Sequence, residues 1–79
     1  MTTKLKIVTA NTHRIVSKKS VTEFLDLLKD LNPTVAYIQE IGVKMAVQVL
    51  GPHFQIYINV DMDTMGRNGI GIATIVKQD

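Results

Sequence analysis

Apolar residues in this chain come in short runs whose period changes along its length. Leu5–Ala10 (LKIVTA) is short, apolar and β-branched, the composition of a buried strand. Asn11–Lys19 is polar and reads as a loop. From Ser20 the period becomes helical, with Val21, Phe24, Leu25, Leu28 and Leu31 at the i, i+3, i+4, i+7 spacing of one face. Ser20 and Glu23 form S-x-x-E, a capping box in which each side chain satisfies a free backbone N–H of the first turn. Asn32-Pro33 ends the helix, because proline disfavours helical backbone in the residue before it.

Thr34–Ile38 (TVAYI) is again nearly all apolar, as in a strand covered on both faces. Val43–Leu50 predicts a short second helix stopped by Gly51-Pro52. In Phe54–Val60 the period drops to two: Phe54, Ile56, Ile58 and Val60 alternate with Gln55, Tyr57 and Asn59, a half-buried strand. Asp61–Asn68 is polar and turn-like, and Ile70–Val76 is a last strand, antiparallel to its predecessor. The order is β-α-β-α-β-β, an α/β (α+β) class with a partial layered mixed sheet. A right-handed crossover lays the Phe24/Leu28 face of the first helix on the sheet. Only the short second helix is left to cover the other face, and the chain stops directly after a strand. The expectation is one partial domain over residues 1–79 whose remainder lies in a longer chain.

Composition narrows the class. At 79 residues and 46% apolar the chain can build one modest core, and disorder is excluded. It has no cysteine, hence neither a disulfide framework nor a thiolate metal site, which fits an intracellular protein. No apolar run approaches the ~20 residues of a membrane span, and the N-terminal run has no cleavage pattern of a signal peptide. The net charge of +2 says little, but Lys4, Lys6, Arg14, Lys18 and Lys19 all precede the first acidic residue, Glu23. That basic quarter is permissive for phosphate and equally consistent with a solvated lysine fringe.

The chemistry is concentrated at two matching places. IVTANT (7–12) and YIQE (37–40) are apolar strands that end in polar, metal-ligating residue types, Asn11 and Glu40. With one helix between them they read as strand, crossover and parallel strand. This sets Asn11 beside Glu40 at the carboxyl edge of the sheet, where open α/β sheets place their ligands.

These residues resemble the N-terminal part of the endonuclease/exonuclease/phosphatase (DNase I-like) family, and within it the apurinic-endonuclease-like domains of non-LTR retrotransposons. The family's W-N-x-N-G-like opening corresponds to Ala10-Asn11-Thr12-His13-Arg14, with Ala10, His13 and Arg14 in place of its tryptophan, second asparagine and glycine. Its N-P-D-like turn corresponds to Asn32-Pro33-Thr34, its L-Q-E to Ile38-Gln39-Glu40, and its G-x-A-I-x-x-K-like hairpin to residues 57–77. The match runs from about Lys4 to Lys77 and covers about the first third of that fold. The resemblance implies Mg²⁺-dependent phosphodiester hydrolysis in DNA, with Mn²⁺ as a substitute metal. Glu40 is then the metal ligand, and Asn11 organises metal and scissile phosphate. Arg14, Lys18 and Lys19, from the basic segment and not from the motif, are the candidate contacts to the DNA backbone under this resemblance. It also implies a nuclear location, and a C-terminal part of the same domain that carries the remaining catalytic groups, so that this fragment alone is inactive.

The other polar features have simpler readings. Asp61 and Asp63 lack the glycine and glutamate of a calcium loop, and Gly66, Gly69 and Gly71 lack the strand-to-helix setting of a dinucleotide fingerprint. His13 and His53 read as solvated residues, and Met45, Met62 and Met65 as packing or loop residues. A second function also fits: a small non-catalytic α/β module that binds nucleic acid or protein. With Phe24, Tyr37, Phe54 and Tyr57 as its only aromatics, phosphate contact rather than base stacking would dominate nucleic-acid binding.

Overall fold

A computed structural model describes residues 5–59 and 69–78. The protein is a mixed α/β chain whose elements follow the order β1 (Ile7–Ile15), α1 (Lys18–Leu31), β2 (Val35–Gly42), α2 (Val43–Met45), a π-helical turn (Ala46–Leu50), β3 (Phe54–Asn59) and β4 (Ile70–Lys77). The four strands form one sheet in the order β1-β2-β4-β3. β1 and β2 are parallel, while β4 lies antiparallel between β2 and β3. The last strand is therefore interior to the sheet, which suits its apolar, β-branched sequence IGIATIVK.

The helices share one face of the sheet. Val21, Leu25 and Leu28 of α1, with Ala46 and Leu50 of the π turn, pack on Ala36, Ile38, Ile41, Phe54, Ala73 and Ile75. Phe24 is half-buried against this core. The second helix thus stands beside α1, and among the described residues no element covers the opposite sheet face. β2 is accordingly not covered on both faces: Ala36 and Ile38 are buried, but Tyr37 and Gln39 are exposed.

Two boundaries move for identifiable reasons. The polar stretch after Ala10 is largely strand, because β1 continues to Ile15 by pairing with β2 as far as Ile41. The helix begins earlier than the Ser20–Glu23 pattern suggests. Ser17 is its N-cap, its Oγ accepting from the Ser20 N–H at 3.1 Å, and Ser20 instead sits at the third helical position. Asn32 ends α1 in the left-handed region (φ 49°), its N–H donating to the Leu28 carbonyl. Gly51 closes the π turn at a position where a Cβ would overlap the Val47 carbonyl. β3 stops at Asn59, and the expected turn over 61–68, with Asp61, Asp63 and Gly66, lies outside the described residues.

Candidate functional site

Asn11 and Glu40 meet where the regular pairing of β1, β2 and β4 breaks. Asn11 pairs with Gln39, but the next pair is Ile15 with Ile41, so three residues of β1 face one of β2. On the other side of β2, Ile38 pairs with Ala73 and Ile41 with Gly71, so Gln39 and Glu40 face Ile72 alone. An extra residue of this kind is a β-bulge, which re-aims side chains at a sheet's rim. In an unbroken strand Glu40 would point to the face opposite Gln39. Instead its backbone is left-handed (φ 56°), and its carboxylate swings to the side of Asn11.

The contact is short and locked. Asn11 Nδ2 donates to Glu40 Oε2 at 2.6 Å, and Asn11 Oδ1 accepts from the His13 N–H at 2.9 Å. The Thr12 hydroxyl donates to the Glu40 carbonyl at 2.8 Å, with the Gln39 carbonyl at 3.3 Å as second acceptor. Gly42 lets the end of β2 run against Val16, where a Cβ would lie 3.1 Å from the Val16 Cα. Among the described residues four non-glycines are left-handed, and three of them, His13, Arg14 and Glu40, are in this corner. Such backbone costs about 1–2 kcal/mol per residue and gathers where surrounding structure over-determines it, often at functional sites.

Glu40 is half-buried, and its Oε1 has no hydrogen-bond partner among the described residues. One free carboxylate oxygen at a sheet rim fits Mg²⁺, which takes hard oxygen ligands, retains waters and is often held by one or two carboxylates plus a phosphate. The amide oxygen of Asn11 accepts from the His13 N–H, so in this arrangement Asn11 orients the Glu40 carboxylate, whose Oε1 is the oxygen that could hold a cation. No group of three or more His, Cys, Asp or Glu side chains gathers among the described residues. Arg14 lies next to the last residue of β1, and Lys18 and Lys19 open α1; all three are exposed at the same end of the sheet. The first turn of α1 carries no acidic residue, so both lysines sit at its positive dipole end. His53 lies in the turn before β3, on the far side of the chain path from this corner.

Thr12 and Gly42 belong to the corner and were not singled out from the sequence. The spacing that betrays them is Ile38 to Ile41: two core residues three apart in one strand require an extra residue between them. No helix among the described residues is long and apolar enough to cross a membrane. No protein-family model, no curated protein and no solved structure matches this chain.

Proposed function

We propose that this chain carries the metal-holding corner of a Mg²⁺-dependent DNA endonuclease of the non-LTR retrotransposon type, and that alone it is catalytically silent. The observation that carries the reading is the 2.6 Å Asn11–Glu40 contact, built at a bulge by three left-handed non-glycine residues. Arg14, at φ 68°, stands where the resembled motif has glycine, the residue for which that backbone is unstrained. Glu40 would hold the metal through its free oxygen, and Asn11, pinned by the His13 N–H, fixes the carboxylate's direction. Bound there, Mg²⁺ supplies neutralisation of phosphate charge and orientation of a water. Arg14, Lys18 and Lys19 offer cations to the DNA backbone, and a phosphate near Lys18 and Lys19 would relieve their unfavourable place at a helix N-terminus. No group of three or more His, Cys, Asp or Glu side chains gathers at the corner among the described residues, and the reading assigns activation of water to the remainder of the domain, hence the silence.

The test is a ¹H–¹⁵N NMR titration of the chain with MgCl₂. Shifts confined to residues around Asn11 and Glu40, and lost in Glu40→Gln, are expected. A spectrum indifferent to Mg²⁺, or an unchanged response in Glu40→Gln, removes the metal reading. Mg²⁺-dependent plasmid nicking by the chain would overturn its silence.

A further inference from the structure

Ile38 and Ile41 both face the core at zero exposure, so β2 must fit an extra residue between them. Their burial requires a bulge but does not choose its shape, since Gln39 and Glu40 both lie in the gap. What selects left-handed backbone at Glu40 must come from outside β2. Consecutive carbonyls of a regular strand point to opposite edges. Here the Gln39 and Glu40 carbonyls converge on one atom of β1, the Thr12 Oγ, at 3.3 and 2.8 Å. The left-handed turn at Glu40 (φ 56°) brings its carbonyl round to that side. A carbonyl so turned has left its pairing with β4 and needs a new donor. The His13 N–H, next along β1, is engaged by Asn11 Oδ1 at 2.9 Å, and the Thr12 hydroxyl meets the Glu40 carbonyl instead.

We infer that Thr12 is the positioning residue of this corner: its hydroxyl holds Glu40 in the left-handed region and so sets the direction of the carboxylate. Two side chains of β1 bond to Glu40, and their surroundings rank them. The Asn11–Glu40 bond is exposed, whereas the Thr12 bond to the Glu40 carbonyl is part-buried. An exposed pair exchanges readily with water, while a part-buried carbonyl left without a donor carries a desolvation cost. Thr12 therefore shapes the backbone, and Asn11 meets a carboxylate already aimed at it. A β-branched hydroxyl residue suits the task, because its restricted χ1 fixes the direction of the hydroxyl. Thr12 falls on the open x of the resembled W-N-x-N-G pattern, so that pattern does not supply the role. The functional consequence rests on the metal reading: Thr12 touches no ion and governs where Glu40 Oε1 points. Removing a group that orients a metal ligand in this way typically costs about 10–100-fold in metal affinity.

The test is NMR of the ¹³C,¹⁵N-labelled chain in its natural form and as Thr12→Val, Thr12→Ser and Asn11→Ala. Backbone ¹³C shifts report the left-handed Glu40, and the side-chain NH₂ pair of Asn11 reports its bond to the carboxylate. The methyls of Ile38, Ile41 and Ile75 report the core. Thr12→Val is expected to keep the core methyls while losing the left-handed signature and moving the Asn11 pair. Thr12→Ser should keep all three signals, and Asn11→Ala should keep the left-handed Glu40. A left-handed Glu40 or an unmoved Asn11 pair in Thr12→Val overturns the inference. So does a Glu40 that is not left-handed in the natural chain, in Thr12→Ser or in Asn11→Ala. Collapse of the core methyls in Thr12→Val would make the hydroxyl a support of the fold, not of the carboxylate, and overturns it as well. In a parallel MgCl₂ titration the response around Glu40 should weaken about tenfold in Thr12→Val and stay within about twofold in Thr12→Ser. An undiminished response in Thr12→Val removes the positioning role. A natural chain indifferent to Mg²⁺ removes the metal reading and leaves the comparison of backbone shapes intact, so the two failures are distinguishable.

Discussion

The two faces of the sheet have the same alternation and opposite fates. On one, Ala36, Ile38 and Ala73 are fully buried beneath α1 and the π turn. On the other, Tyr37 and Tyr57 lie one residue away along the same sheet and stay exposed, with Thr74 half-buried between them. Hydrophobic stabilisation scales with apolar area removed from water, so the covered face holds the fold and the open face contributes little to it. The two are linked at Glu40, where one extra residue in β2 lets Ile41 return to the core while the carboxylate joins Asn11.

The sharpest way to break this contrast is to truncate one residue on each face. Leu28→Ala, under the helix layer at zero exposure, should cost about 3 kcal/mol. That is a large part of the roughly 5 kcal/mol available to a small domain, so chemical denaturation should show a fraction already unfolded in water. Tyr57→Ala should shift the same denaturation midpoint by less than about 1 kcal/mol, since most of the ring is already solvated. Equal losses would mean that the open face is covered in solution and helps to hold the fold. Gly51→Ala comes next, at about 2 kcal/mol, because the new methyl must displace the Val47 carbonyl that closes the π turn. Its effect belongs wholly to the covered side, so the Tyr37 and Tyr57 resonances of the folded chain should keep their positions.

Much of this architecture was legible in the sequence. Period 3.6 over Val21–Leu31 and period two over Phe54–Asn59 each identify an element and its buried side. The pairing of Asn11 with Glu40 followed from two strand ends joined by one helix. Boundaries failed where polar residues obey tertiary rather than local rules: Asn11–Ile15 looks like loop but is strand, because β2 supplies its hydrogen-bond partners. Two serines three apart both fit a helix start, and only the chain's exit from β1 selects Ser17 over Ser20. Ser17→Ala should therefore lose about 1 kcal/mol, whereas Glu23→Ala, on the exposed face, should change thermal stability by a few tenths at most. The reverse ranking would restore the Ser20 cap. The bulge was written as the Ile38–Ile41 spacing, but reading it requires knowing that both isoleucines are buried on one side.

The smallest effect is the most instructive about the corner. Arg14 holds φ 68° beside His13 at 55°, a backbone that costs an L-residue about 1–2 kcal/mol relative to glycine's free access. Glycine loses more chain entropy on folding, about 0.5–1 kcal/mol, which offsets part of that relief. Arg14→Gly should thus stabilise the chain by about 0.5–1 kcal/mol, read as a higher midpoint in thermal and urea unfolding. The Mg²⁺ response around Glu40 should survive, since Asn11 and the His13 N–H are untouched. Affinity for a DNA duplex, measured at low salt, should fall with the lost cation. Opposite signs in stability and DNA affinity would show the arginine kept for its charge in a place shaped for glycine. A loss of stability instead would mean that its side chain, not the strain of its backbone, governs this turn, and the corner would owe its shape to the strands alone.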